Sequence, residues 1–219
     1  MKTTRKSGLA RLVFAGICLL ALPTSAGAHP HIFAEARLEV MLGDDGKVEE
    51  LRHVWRFDEF FSSTVMLEFD ANSNLELEQE ELEAIGETVK QSLGDFDYYT
   101  AIHRNGVDLG VQAPDRIFAN FENGQLLMFF AVKPKDDAPL DGKLTFGVYD
   151  PTMYAAIDFV NDGDMVVMGN AGGCESAVVR PDPDQVLAEM QGSLTEAFFN
   201  DPEGYDISQL FATRLEVTC

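Results

Sequence analysis

The sequence predicts an α+β fold: mostly antiparallel sheet with an inserted EF-hand-like helix–loop–helix and a C-terminal helix. Three patterns predict it. Two runs between Ile32 and Phe57 alternate apolar and polar residues on either side of a Gly43-Asp44-Asp45-Gly46 turn. Two helix-spaced apolar stripes flank an acidic loop between residues 58 and 94. From Tyr98 to Met168, short apolar runs recur between Asn-Gly and Asp-Gly turns.

Ahead of these elements, residues 1–28 read as a secretory signal. Lys2, Arg5, Lys6 and Arg11 are basic, Leu9 to Leu22 is largely apolar, and Ala26-Gly27-Ala28 is a small-x-small cleavage site. The apolar stretch is too short and wrongly flanked for a stable membrane anchor. The branched Ile17 before Cys18 argues against a lipoprotein site. The expected product is a single mature α+β domain, 29–219, exported to the periplasm.

In the first strand, Ile32, Ala34, Ala36, Leu38 and Val40 face one way, and Glu35, Arg37 and Glu39 the other. In the second, Val48 to Phe57, Leu51, His53, Trp55 and Phe57 share a face. A four-residue turn sets Ile32 opposite Phe57, Ala34 opposite Trp55, Ala36 opposite His53 and Leu38 opposite Leu51. Small residues of one strand then make room for large ones of the other. Asp58 to Phe69 is expected to be helical, with Phe57, Phe60, Phe61, Val65 and Phe69 on one stripe. Leu82, Ile85, Val89 and Leu93 mark a second helix that Gly94 stops.

Strands are expected over Tyr98–Arg104, Arg116–Phe121, Gln125–Lys133, Lys143–Tyr149, Ala155–Val160 and Met165–Met168. Asp182-Pro183 opens a last helix with Leu187, Met190, Leu194 and Phe198 inward. Arg214 to Cys219 reads as a short closing strand.

The sequence holds 16 basic and 37 acidic residues, for a formal charge of −21. Four of the basic residues and none of the acidic ones lie in the signal, which leaves 12 against 37, or −25, on the mature chain. Such a surface repels nucleic acid and anionic lipid and attracts divalent cations. Plain solubility is the other reading of the acidity. No nucleic-acid partner and no stable membrane insertion after cleavage are expected. Cys174 and Cys219 form an even pair in an exported chain, which favours a structural disulfide. The alternatives, a metal thiolate or a redox pair, lack C-x-x-C spacing.

Two segments carry candidate metal chemistry. Cleavage after Ala28 would expose His29 with a free α-amine, followed by Pro30 and His31. Pro30 has no N–H, so a square-planar chelate through two backbone amides is blocked. His29 can still chelate through its amine and ring, with His31 adding a second imidazole, and imidazole suits zinc, copper and nickel. A solvated terminus that happens to contain histidine is the plainer reading.

The second segment runs from Asp70 to Glu81. Asp70, Asn72 and Asn74 fill positions 1, 3 and 5 of the twelve-residue EF-hand loop, Glu76 offers its carbonyl at 7, Glu78 stands at 9, and Glu81 is the bidentate ligand at 12. Leu75 stands where glycine should make the sharp turn, and a branched residue forced to positive φ costs on the order of 1 kcal/mol. The expectation is weak calcium binding, or a loop that keeps the shape without the ion. An ordinary acidic helix–turn–helix is the alternative.

His53, on the apolar face, is a further metal candidate; a hydrogen-bonded core histidine is the competing reading. His103, at a turn, reads as surface. There is no G-x-S-x-G, P-loop, dinucleotide fingerprint or H-E-x-x-H, and no catalytic residue is assigned. A copper enzyme built on His29 would need another histidine held near it.

His29-Pro30-His31-Ile32-Phe33, then Arg52-His53-Val54-Trp55-Arg56-Phe57-Asp58-Glu59-Phe60-Phe61-Ser62, the EF-hand-like loop and Tyr149-Asp150-Pro151 resemble a bacterial periplasmic family. It is the family called domain of unknown function 1007. The resemblance spans nearly the whole mature chain, including Cys174 and Cys219. It implies a periplasmic component of a metal transport system, associated with zinc and nickel/cobalt-type transporters. Leu75 departs from the glycine-bearing, more acidic loop of many members. The resulting expectation is a protein that buffers or delivers zinc or nickel/cobalt to an inner-membrane transporter through His29 and His31. The alternative is a calcium-stabilised EF-hand-like interaction module.

Overall fold

The computed structural model describes residues 30–193 and 207–219. In chain order its elements are β1 (Ile32–Leu42), β2 (Val48–Phe57), α1 (Glu59–Phe69), α2 (Gln79–Ser92), a 3-10 segment (Gly94–Tyr99), β3 (Thr100–Arg104), β4 (Val107–Asp108), β5 (Val111–Gln112), β6 (Phe118–Glu122) and β7 (Gln125–Pro134). They continue with β8 (Lys143–Val148), β9 (Ala155–Asp158), β10 (Met165–Met168), β11 (Glu175–Val179), α3 (Pro183–Ser193), α4 (Ser208–Phe211) and β12 (Arg214–Thr218). The expected signal, His29, Leu194 and Phe198 lie outside the described residues. No helix among the described residues is long and apolar enough to cross a membrane.

β1 organises the first sheet. One edge pairs antiparallel with β2; the other pairs parallel with β9 and, further along, with β10. β2 continues into β7, whose far edge carries β6 and β5. The second sheet runs β11-β12-β8-β3-β4 and is antiparallel throughout. Leu38, Leu51 and Leu126 from the first sheet share one core with Ile102, Leu144, Phe146 and Leu215 from the second. Fully burying each such side chain is worth about 1.5–3 kcal/mol.

The expected alternation of β1 and β2 holds, but the register differs. Ala34 pairs with Phe57, Ala36 with Trp55, Leu38 with His53 and Val40 with Leu51. The turn takes one more residue than expected, so that Leu42 meets Val48. A bulge between Met41 and Leu42 adds a second step. Two one-residue shifts move the partners by two positions and leave every side chain on its expected face.

Asp58 joins β1, β2 and α1. Its Oδ1 accepts from Phe60 N at 2.9 Å and Phe61 N at 3.0 Å, capping the helix. Its Oδ2 accepts from Phe33 N at 3.1 Å, and its own N–H donates to the Phe33 carbonyl. The buried face of α1 carries Ser62 and Val65, with Phe61 and Phe69 half-buried. Phe60 is 80% exposed, contrary to its expected place on the stripe. It stands two residues from Ser62, roughly 200° round the helix. Ser62 itself is fully buried and accepts from Leu126 N at 2.9 Å, tying α1 to β7.

In α3, Val186 and Met190 are half-buried and Leu187 is 48% exposed, so the inward stripe is turned one residue from the expected one. β3 starts at Thr100 and not at Tyr98, because Asp97, Tyr98 and Tyr99 have φ of 46°, 55° and 55°. β6 starts at Phe118 and β9 ends at Asp158. β4, β5 and β11 had no expectation.

Cys174 and Cys219 form the expected disulfide, 45 residues apart in sequence. It joins the start of β11 to the end of β12, and on the chain-entropy model is worth about 4 kcal/mol.

α2 lies so close to the start of β6 that a methyl group on Gly86 would sit 2.0 Å from the Ile117 carbonyl oxygen. Glycine-to-alanine in an open helix interior is stabilising by about 1 kcal/mol. At Gly86 the clash reverses the sign. Gly86→Ala is expected to lower stability by roughly 1–3 kcal/mol, read as a fall of several degrees in Tm. An unchanged or raised Tm would show that α2 does not pack there.

Candidate functional site

The segment from Asp70 to Glu81 folds as a turn-rich loop between α1 and α2, with its backbone donors gathered by its own side chains. Asp70 Oδ1 accepts from Asn74 N at 3.1 Å, and Oδ2 from Leu75 N at 2.8 Å. Asn72 Oδ1 accepts from Asn74 N at 3.0 Å, and Asn74 Oδ1 from Glu76 N at 2.8 Å. Glu81, in the first turn of α2, reaches back across the loop: Oε1 accepts from Ala71 N at 2.8 Å and Oε2 from Glu78 N at 3.0 Å. Glu78 and Glu81 form a capping box at the start of α2.

The residues assigned to positions 1, 3, 5 and 12 are thus brought to one short loop. The two asparagine amides donate to Glu78, Asn72 Nδ2 at 3.2 Å and Asn74 Nδ2 at 2.6 Å. Hydrogen bonding with Glu81, then with Asn74, holds the Glu78 carboxyl below its ordinary range. Leu75 takes φ +64°, the left-handed conformation that the EF-hand turn demands and that a leucine adopts only under strain. Ser73 is left-handed as well, at +61°. Leu77, at the eighth position of the loop, is half-buried against the core.

Among the described residues, no three His, Cys, Asp or Glu side chains form a metal-holding group. Half of the loop's candidate donors are amide or backbone oxygens, which suits a hard cation such as calcium and not a soft one.

His31 lies at the entry to β1. Its N–H donates to the Tyr154 carbonyl at 2.8 Å, and its ring lies 4.9 Å from the Tyr154 ring. The side chain is exposed. The amino-terminal histidine segment is therefore anchored at its carboxyl end to the turn before β9.

His53 is placed far from it. His53 pairs with Leu38, seven extended residues beyond His31, or roughly 20 Å along the strand at about 3.3 Å per residue. It is 1% exposed, stacks on Phe130 at 4.5 Å and 7°, and has Nε2 3.3 Å from Thr100 Oγ1. Thr100 gives its own proton to the Tyr98 carbonyl, so the imidazole donates through Nε2, and Nδ1 is left without a partner. Burial lowers the His53 pKa from 6.5 to about 3. The ring is a neutral core group between the two sheets. His103 lies on β3 opposite Asp108, in the second sheet.

A third constellation entered the sequence reading only as the family motif Tyr149-Asp150-Pro151, with no site role assigned to it. Asp150 is 2% exposed, and its carboxylate accepts from Thr152 N at 2.8 Å, Thr152 Oγ1 at 2.7 Å and Ala155 N at 2.8 Å. The Tyr99 hydroxyl also hydrogen-bonds to it. Burial first, and the Asp150 charge second, push the Tyr99 phenol well above its ordinary pKa. The signal for this turn was Asp150-Pro151-Thr152; its partner Tyr99 lies about 50 residues away and has no local sign.

One family profile, described as a protein of unknown function, DUF1007, matches residues 14–219. The chain belongs to DUF1007. The match takes in the histidine segment, the Asp70–Glu81 loop, the Asp150 turn and both disulfide cysteines. It bears out the resemblance read from those motifs. No curated protein matches this DUF1007 chain.

The neutral His53 makes a pH signature. Its folded pKa lies below the unfolded value, so its contribution is fully present above about 6.5 and is lost as pH falls towards about 3. Stability is expected to drop by roughly 3 kcal/mol between pH 7 and pH 4 from this group alone. Denaturant titrations of wild type and His53→Leu across that range check it. On acidification the wild type should lose roughly 3 kcal/mol relative to the variant; parallel curves would place the ring in water.

Proposed function

We propose that this DUF1007 member is an exported cation-binding protein whose Asp70–Glu81 loop takes calcium. One observation carries the reading: Leu75 holds a left-handed turn while Asp70, Asn72, Asn74 and Glu81 gather the loop's N–H groups, leaving their remaining oxygen lone pairs for an ion. The disulfide fits an oxidising compartment such as the periplasm, where calcium reaches the concentrations a weak loop needs. Two neutral amides and a strained sixth position put the affinity in the range of extracellular modules, about 10⁻⁴–10⁻³ M. The ion would tie α1 to α2 through Asp70 and Glu81, so its effect is on stability and on the shape of that helix pair.

Calcium titration of the processed protein, followed by Tm, tests this. At ten times its Kd, calcium should add about 1.4 kcal/mol. Asp70→Ala and Glu81→Ala should abolish the rise, and Leu75→Gly should tighten binding several-fold. A Tm indifferent to calcium, or one that rises equally in both alanine variants, counts against the loop.

A second reading concerns the amino terminus, and the anchoring of His31 on Tyr154 favours it. His29, with its freed amine, and His31 would capture zinc or nickel/cobalt and pass it to an inner-membrane transporter. The strongly acidic surface would raise the local cation concentration. Isothermal titration with zinc, nickel and copper is expected to show one site on the processed protein. His29→Ala with His31→Ala should remove it; binding that survives both changes overturns the assignment.

A further inference from the structure

A cavity beside the start of β1 belongs to neither cation site. Its volume is about 280 Å³. Ile32 of β1, Trp55 of β2, Phe61 of α1, Val89 of α2, Tyr99, and Ile157 of β9 form its walls. Segments between residues 32 and 157 meet there, so the space is a product of the first sheet and the helices packed on it. No Asp, Glu, Lys, Arg or His lines it, in a chain whose mature part is strongly anionic. Protein interiors are packed as densely as organic crystals, and an apolar space of this size leaves its lining without contacts on one side. Ligand clefts begin at about this volume and share this lining: apolar and aromatic walls with a few polar groups.

Two features of the lining bear on what it could hold. Trp55 is 2% exposed, and its indole Nε1 has no hydrogen-bond partner. The Trp55 ring lines the cavity, whereas Nε1 itself has almost no accessible surface and is sealed from it. The Tyr99 wall is also held under strain. Asp97, Tyr98 and Tyr99 are three consecutive left-handed residues, none of them glycine, and the Tyr99 hydroxyl is fastened to buried Asp150. Such backbone is sparsely populated and persists where the surroundings over-determine it, commonly at ligand clamps. The same segment that carries the strain supplies the wall.

We infer that this cavity binds a small uncharged molecule, mainly aromatic or alicyclic, that packs against the rings of Trp55, Phe61 and Tyr99. The uncharged lining excludes ions, and the aromatic walls favour flat or ring-shaped groups. The ligand would touch β1 immediately after His31.

Trp55 is the only tryptophan in the chain, so its emission reads the cavity directly. The test titrates N-phenyl-1-naphthylamine, an uncharged aromatic dye, into the processed, disulfide-intact protein. The expected result is saturable quenching of Trp55 emission with a matching rise in dye emission. Ala155→Leu and Val89→Phe fill the space from different walls. Each should weaken binding at least tenfold with Tm level or raised, and either variant suffices if the other does not fold. Asp70→Ala should leave dye binding unchanged, which separates this site from the calcium loop. Quenching that never saturates, or that both filled variants retain, overturns the inference. So does a failure to bind the dye, the outcome if a segment of this chain already occupies the space.

Discussion

Trp55 is the side chain around which the two sheets are arranged. Its ring meets Phe130 edge-on at 4.9 Å, Phe57 at 6.3 Å and Tyr99 at 6.1 Å, and stands perpendicular to His53 at 6.1 Å. A ring this large fits only because its cross-strand partner is Ala36, with Ala34 next to it on the same face. His53 then stacks on Phe130 and reaches Thr100 in the second sheet. This aromatic layer fixes the spacing of the sheets, keeps His53 dry and neutral, and sets the wall against which Tyr99 is placed. The polar groups buried with it are few, and two of them, His53 Nδ1 and Trp55 Nε1, are unpartnered.

The hairpin shows which part of such an arrangement a sequence carries. Side-chain alternation has a period of two, so the inward face of β1 and β2 was legible without knowing the partners. The partners depended on a turn one residue longer than its Gly-Asp-Asp-Gly signature and on a bulge that no residue type announces. The two errors cancelled in facing and added in register. The same distinction explains Phe60 and Leu187. Each lies one position off a stripe whose existence was clear, and its angular centre was set by what the helix packs against, Leu126 in one case and the short helix α4 in the other.

The candidate sites divide along the same line. Asp70, Asn72, Asn74 and Glu81 lie within twelve residues, and their chemistry is written in their spacing. Even the strained Leu75 was legible, because the misfit of residue and position is local. Tyr99, Asp150 and the Trp55 cavity were not, because they join segments from about 50 to about 125 residues apart in sequence. Nothing about Tyr99 in isolation marks it as a residue with a left-handed backbone and a buried carboxylate for a partner. The fold class, by contrast, was carried by many weak signals that agree, and survived every one of these local misreadings.

β12 occupies an interior place in the second sheet, between β11 and β8, though it is the last strand in chain order. Until it arrives, β8 presents an open edge of unpaired N–H and C=O groups. A chain threaded through a membrane amino end first would therefore emerge with its second sheet unfinished, and would stay open until the final residues are across. If the chain is exported, as proposed above, a late keystone would keep it pliable while it travels. The Cys174–Cys219 bridge joins the start of β11 to the end of β12 and so holds the completed sheet closed.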